Sequence, residues 1–367
     1  MPAYISFCTV CMNRLHQLKR TLLQNIRDNE DYPDLEFILL DYNSQDGMAE
    51  WVYENCQEYL ATGKLVYYRT YSPAVFNHSH SKNVAFTLAT GDIVCSINAD
   101  HYTGRNYAHY VHDAFEKGNN IVLTPIDFFK TKGNHRPPGD VMGKVCVKKS
   151  DFLSVNGFDE SMGNYGFEDY DFINRLEMSG VRRVLIEDPS FLEFIAHSDE
   201  ERYSTGKLTG HLDSVYIHYC SPAITKIIFL YKDSRFEEGT IIDNYSIDAD
   251  NPIFAYTPRN SRFEFSLKEQ HWNTGRWNWN GSQDKMLFYP DTGTRFSFES
   301  YFPVSDPGIV QDAVRFRHLL ASRSIMEQNL ETKKIMVNPL GFGRDIIFKN
   351  FNHARKDRLA GDFFILP

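Results

Sequence analysis

The stretch Ile93-Val94-Cys95-Ser96-Ile97-Asn98-Ala99-Asp100 decides the fold class, because a short apolar run ends abruptly in two oxygen-bearing side chains. A run of this length, rich in β-branched residues and bounded by polar ones, reads as a buried strand. In an extended segment, side chains two apart share a side, so Asn98 and Asp100 point the same way. In open α/β sheets ligands bind beyond the carboxyl ends of the strands. Two oxygen donors at such an end suit one hard divalent cation, although Asn and Asp are also common in plain strand-end turns.

Working outward, the first two hundred residues alternate apolar runs with helical patterns, which predicts an α/β domain with a mostly parallel sheet. The strand-like runs are Ile5–Val10, Phe37–Leu40, Leu65–Tyr68, Ile93–Ile97, Ile121–Leu123, Lys144–Val147 and Phe191–Ala196. Leu15, Leu18, Leu22 and Ile26 mark one face of a helix, and Trp51–Leu60, Asn83–Leu88, Tyr107–Phe115 and Tyr170–Met178 are further helical segments. Polar groups follow several strands: Asn13-Arg14 after the first, and Asp41 through Gly47 after the second.

Beyond about residue 205 the texture changes to aromatics, turn pairs such as Asn280-Gly281 and alternating runs such as Phe263–Leu267. The expected organisation is a domain over 1–205 and a smaller β-rich module over 206–367, the latter with a long amphipathic helix over about 308–334. The tail Gly341-Phe342-Gly343 leading into Ile346-Ile347-Phe348 reads as a turn and a strand.

A net charge of −9 with no long Lys/Arg run excludes wrapping a nucleic-acid backbone, while leaving room for a small anionic ligand held by local cations and a metal. The six cysteines form no CxxC pair and read as reduced core residues. No stretch of about 18 apolar residues occurs, so a cytoplasmic, soluble chain is the expectation.

The richest segment runs from Gly157 through Asp171, where a glycine-containing loop meets Glu168 and Asp169 at the start of a helical pattern. Carboxylates there are favoured by the helix dipole, so Asp169 could stay ionised as a general base on a hydroxyl while Glu168 orients that hydroxyl. Helix capping explains the same residues without any chemistry. The glycines also predict that Asn156–Phe167 closes over a ligand. His197, after the Phe191–Ala196 run, is a second metal-ligand candidate.

Together these residues resemble the GT-A fold of nucleotide-diphospho-sugar transferases over about residues 3–202, in particular the β-1,4-galactosyltransferase and polypeptide N-acetylgalactosaminyltransferase branches and bacterial family 2 enzymes. Asn13-Arg14 stands where the galactosyltransferases have a nucleotide-contacting Asn-Arg pair. Phe76-Asn77-His78 running into Lys82 is similar to their Phe-Asn-Arg segment, with His78 in place of the arginine. Asn98-Ala99-Asp100 takes the place of the Asp-x-Asp metal motif, and YGFEDYDFINRL (165–176) resembles their acceptor and catalytic stretch.

The resemblance implies donor contacts from Asn13, Arg14, Asp41, Phe76, Asn77, His78, Lys82, Asn98 and Gly143. It implies acceptor contacts from Tyr165, Gly166 and Phe167, with Tyr165 where the family has a mobile-loop tryptophan. Asp169 is then the base of an inverting displacement with Glu168 on the acceptor. Asp100, His197 and Asn98 hold a divalent metal, Mn2+ favoured over Mg2+, with Phe194 replacing a methionine ligand. The implied partners are a UDP-sugar donor, carrying galactose or N-acetylgalactosamine by preference, and a glycan or glycolipid acceptor, the latter bringing peripheral membrane proximity. Two other classes stay open: a non-catalytic carbohydrate-binding protein that uses the aromatic module with Trp272, Trp277 and Trp279, and, more weakly, a nucleotidyltransferase, which lacks its glycine-rich phosphate loop here.

Overall fold

The computed structural model describes residues 2–125, 141, 143–163, 165–196, 211–221, 224–242, 272–279, 286–293 and 296–351. The chain divides into two compact units, Met1–Ser198 with Ile325–Pro367, and Asp199–Ser324.

The first unit begins β1 (Ile5–Cys11), α1 (Leu15–Asp28), β2 (Leu35–Tyr42), α2 (Met48–Asn55), α3 (Gln57–Thr62), β3 (Leu65–Thr70) and α4 (His78–Leu88). It continues with β4 (Ile93–Ser96), α5 (Tyr107–Lys117), β5 (Ile121–Thr124), β6 (Cys146–Lys148), α6 (Lys149–Ser154), α7 (Glu168–Met178) and β7 (Arg182–Leu185). In the second unit lie β8 (Leu212–Ser221), β9 (Ile224–Tyr231), β10 (Arg235–Ile242), β11 (Asn273–Trp279), β12 (Met286–Pro290) and β13 (Phe302–Pro303). Helix α8 (Pro307–Glu331) starts in that unit, and β14 (Phe348–Lys349) belongs to the first.

The sheet of the first unit has the order β14-β3-β2-β1-β4-β6-β5-β7. Strands β3, β2, β1 and β4 are parallel neighbours, whereas β6 runs antiparallel between β4 and β5. Every residue of β2 is buried, the signature of a strand covered on both faces. Leu15, Leu18, Leu22 and Ile26 of α1 pack with Phe7, Phe37 and Leu39 on one face, while Val84, Phe86, Phe152 and Phe172 join Ile38 and Leu40 on the other. Burying each such side chain is worth about 1.5–3 kcal/mol, so these two layers fix the strand ends that carry the site.

Two expectations need correction. Phe191–Ala196 is not a strand but makes an isolated bridge, His101 to Phe194, after a short 3-10 turn at Pro189–Phe191. The Lys144–Val147 run enters the sheet only from Cys146, since Lys144 is buried with its ammonium on the carbonyls of Tyr102 and Phe191. Phe263–Leu267 lies outside the described residues.

The second unit is an antiparallel sheet, order β12-β11-β10-β9-β8-β13. Ala313, Val314 and Leu320 of α8 cover its Val215, Ile217, Ile227 and Phe229 face. Trp277 donates its indole N–H to Tyr231 O at 3.1 Å, and the Arg317 guanidinium lies 4.2 Å above the Trp272 ring, so both tryptophans are used in packing. Trp279 is exposed. Among the described residues no helix is long and apolar enough to cross a membrane.

Candidate active site

Three strand ends (β1, β2 and β4) and two helix starts (α4 and α7) of the first unit carry most of the residues singled out above. After β1, Asn13 adopts a left-handed φ of 56°, its N–H donating to Ser44 Oγ at 3.0 Å and its Oδ1 accepting from Gln45 N–H at 2.6 Å. Arg14 precedes α1, and the carboxylate of Asp46 accepts the Leu15 N–H at 2.8 Å, capping that helix from the neighbouring loop. The β1 and β2 ends are therefore stitched into one rim.

Asp41 ends up fully buried at this rim. Its carboxylate accepts from Tyr67 Oη at 2.6 Å and Ser44 N–H at 2.7 Å, with Arg69 Nε 3.4 Å away. Burial raises its pKa above the usual carboxylate range, although the Tyr67 and Ser44 bonds and Arg69 pull the other way. Sequence reading overlooked Tyr67 and Arg69. The rule that singled out Asp41 reaches Arg69 too, because it lies beside Asp41 in the β2–β3 register.

At the start of α4, Asn77 caps the helix by accepting the His80 N–H at 2.9 Å, and Phe76 packs its edge against Tyr42 and His78. One turn on, Lys82 is buried, and its ammonium donates to Asp169 Oδ1 at 2.7 Å and to Glu168 Oε1 at 3.0 Å. His78 Nδ1 approaches the same Glu168 oxygen at 3.6 Å, and the Tyr165 ring lies edge-on to His78 at 5.3 Å. Thus His78, Lys82, Tyr165, Glu168 and Asp169 form one cluster, with the cation seated on the two carboxylates.

The N-cap residue Phe167 gives α7 no side-chain cap, and Glu168 and Asp169 in its first turn both accept from the Lys82 ammonium. The helix begins after Gly166 (φ 90°) and Phe167 (φ 65°), a left-handed pair that only a constrained loop holds in place for phenylalanine. Burial opposes the Glu168 charge, but Lys82 and His78 outweigh it and bring its pKa down to about 2. Burial raises Asp169 to about 6; Lys82 opposes the rise, while the Glu168 charge adds to it. Lys82 itself is driven to about 12, since the two carboxylates overcome its burial. One ammonium cannot neutralise two carboxylates, and the second ionisation meets the first.

After β4, Thr21 Oγ1 donates to Ala99 O at 2.6 Å, and the Asp100 carbonyl accepts the Ile195 N–H at 2.8 Å. Asp100 is buried, with its Oδ1 3.8 Å from His101 Nε2. Gly143 packs on Asn98: a Cβ built there would fall 2.5 Å from the Asn98 amide nitrogen. His197 lies outside the described residues. Among the described residues no group of three or more His, Cys, Asp or Glu side chains gathers in a metal-holding arrangement. Asp100 offers a buried carboxylate and Asn98 an amide oxygen packed on Gly143, the hard-oxygen donor types that suit a divalent ion completing its shell with water and phosphate oxygens.

Residues 6–180 match the family model described as Glycosyl transferase family 2. No curated protein matches the chain. Among solved structures, the mannosyltransferase PcManGT from Pyrobaculum calidifontis, in complex with GDP-Man and Mn2+, is 18% identical over 55% of this chain and 60% of its own, with a TM-score of 0.45. S. aureus TarS 1-349 is 16% identical over 55% of this chain and 62% of its own (TM-score 0.41), and in complex with UDP-GlcNAc it is 13% identical over 60% and 62% (TM-score 0.41). The chain spans less than two thirds of the length of each of these structures.

Proposed function

We propose that this chain, whose residues 6–180 match the glycosyl transferase family 2 model, is a glycosyltransferase that moves a hexose or N-acetylhexosamine from a UDP-sugar to a hydroxyl of a glycan or glycolipid acceptor, with inversion and with Asp169 as base. Galactose and N-acetylgalactosamine are the favoured donor sugars, on the resemblance of residues 165–176 to the galactosyltransferase stretch. The observation that carries the reading is the buried cluster in which Lys82 holds Glu168 and Asp169 at 3.0 and 2.7 Å.

Hydrogen bonding of Asp169 to the described residues runs through Oδ1 alone, which leaves Oδ2 for an acceptor hydroxyl. As the acceptor oxygen bonds to the anomeric carbon, its proton passes to Asp169 and the sugar–phosphate bond breaks on the opposite face, so UDP leaves with the electron pair. A base whose pKa stands near 6 is ionised at neutral pH yet retains proton affinity. Glu168, fixed on Lys82 and His78, stays anionic and orients the acceptor. The rings of Tyr165, His78 and Phe76 supply an apolar face on which a sugar ring packs.

Asn13 and Arg14 at the β1 end and Asp41 behind Tyr67 and Arg69 shape the nucleoside side. A divalent ion, Mn2+ by preference and Mg2+ otherwise, would be held by Asp100 with Asn98 and His197, and when bound it neutralises the diphosphate. UDP release measured across a panel of UDP-sugars with Mn2+ tests the donor class; release from none of them, with or without acceptor, contradicts it.

A further inference from the structure

Beyond α8 the chain comes back to the loop that leads into α7. Asn329, buried in the last turns of α8, donates its amide to Asp159 Oδ2 at 3.0 Å and to Asp171 Oδ1 at 2.9 Å. Asn338, at a left-handed φ of 50°, donates to the carbonyls of Asn156 (2.8 Å) and Phe158 (2.7 Å) and accepts the Glu160 N–H at 3.0 Å. Asn156 answers with a bond to Val337 O at 3.0 Å, and the Gly343 N–H donates to Glu160 Oε1 at 2.7 Å. From the other side Asn83, next to Lys82 on α4, accepts the Phe158 N–H at 2.7 Å and donates to its carbonyl and to Glu160. Arg175 of α7 completes the cage on the carbonyls of Val155 and Gly157.

We propose that Asn329 and Asn338 are positioning residues for the acceptor side of the site. Through Asn338 the returning segment fixes the loop 155–160, and through Asn329 it ties Asp159 to Asp171, two residues beyond Asp169. The proposal rests on the transferase reading of Glu168 and Asp169. A loop whose backbone groups are satisfied from α4, α7 and the returning segment does not swing as a unit, so the closure expected of Asn156–Phe167 is restricted to the part after Glu160. Holding these groups matters for rate because displacement of a reacting group by about 1 Å costs on the order of a hundredfold.

The test uses the full chain with Asn329→Ala, Asn338→Asp, which sets an oxygen against the carbonyls of Asn156 and Phe158, and the milder Asn338→Ser. Deuterium exchange of segments 155–163 and 168–171, UDP affinity by calorimetry, and acceptor kcat and KM are read for each. The expected result is lost protection in both segments and a fall of at least about tenfold in acceptor kcat/KM, with UDP affinity held within about twofold. Unchanged exchange overturns the proposal. So does raised exchange with unchanged acceptor kinetics, or loss of UDP binding by all three variants, which marks a general structural role. Exchange is read without turnover, so a wild-type chain that binds and releases no UDP contradicts the transferase reading, while the protection pattern still decides whether the strap holds the loop and α7.

Discussion

The Lys82 ammonium lies 2.7 Å from Asp169 Oδ1 and is itself buried, so the base of the proposed reaction is poised by a cation from α4 rather than by its own helix. Replacing Lys82 with methionine leaves two adjacent buried carboxylates without their cation. Protonation of one is the cheap escape, and the expected outcome is a loss of UDP release of at least about a hundredfold at neutral pH, partly recovered at higher pH. Lys82→Arg keeps the charge and is expected to retain more activity than Lys82→Met. Initial rates across pH for both variants check this.

The pH profile of the wild-type chain follows from the same cluster. Asp169 must be ionised to accept a proton, and burial raises its pKa to about 6, so kcat/KM is expected to rise with pH through about 6 and then level off. Stability has two opposed parts. Glu168, lowered from 4.5 to about 2, contributes stability that is present above 4.5 and lost as pH falls towards 2. Asp169, raised from 3.8 to about 6, opposes folding as pH climbs through that interval. Thermal unfolding of the Asp169→Asn variant is therefore expected to lose its stability deficit, or gain stability, relative to wild type between pH 4 and 6. A difference that stays flat over that range contradicts the assignment.

Gly143 leaves the space that the Asn98 amide fills. A Cβ at that position meets Asn98 at 2.5–2.8 Å, so Gly143→Ala must displace the amide. The expected effect is a rise in donor KM of at least about fivefold with little change in thermal stability. Donor titrations at saturating acceptor and Mn2+ measure it.

Arg175 is fully buried, paired with Asp171 at 2.7 Å and bonded to the carbonyls of Val155 and Gly157. Arg175→Met strands the Asp171 charge and those carbonyls, and a destabilisation of about 3–5 kcal/mol is expected. Chemical denaturation of the purified variant gives the value.

The legible parts of the fold were those with strong periodicity. α1 announced itself by Leu15, Leu18, Leu22 and Ile26, and β1 through β4 by apolar runs ending in polar groups. β7 was missed because Arg182 and Arg183 hide a four-residue edge strand, and Phe191–Ala196 misled because apolar residues there pack without a ladder. In the site, Glu168 and Asp169 were visible from the loop-to-helix pattern. Their partner Lys82 was visible as a residue but not in this position, since a lysine on a helix gives no local sign of which carboxylates it will meet. Asn329 and Asn338 were not legible at all, because their partners lie more than 150 residues away, at |i−j| of 158 to 182.

The central claim is tested most directly by Asp169→Asn in the full chain, with UDP-sugar binding by calorimetry and UDP release in the presence of acceptor and Mn2+ measured on the same preparation. The expected result is donor affinity within about threefold of wild type and a loss of release of at least about a thousandfold. Release at the wild-type rate by a variant that still binds donor contradicts the account.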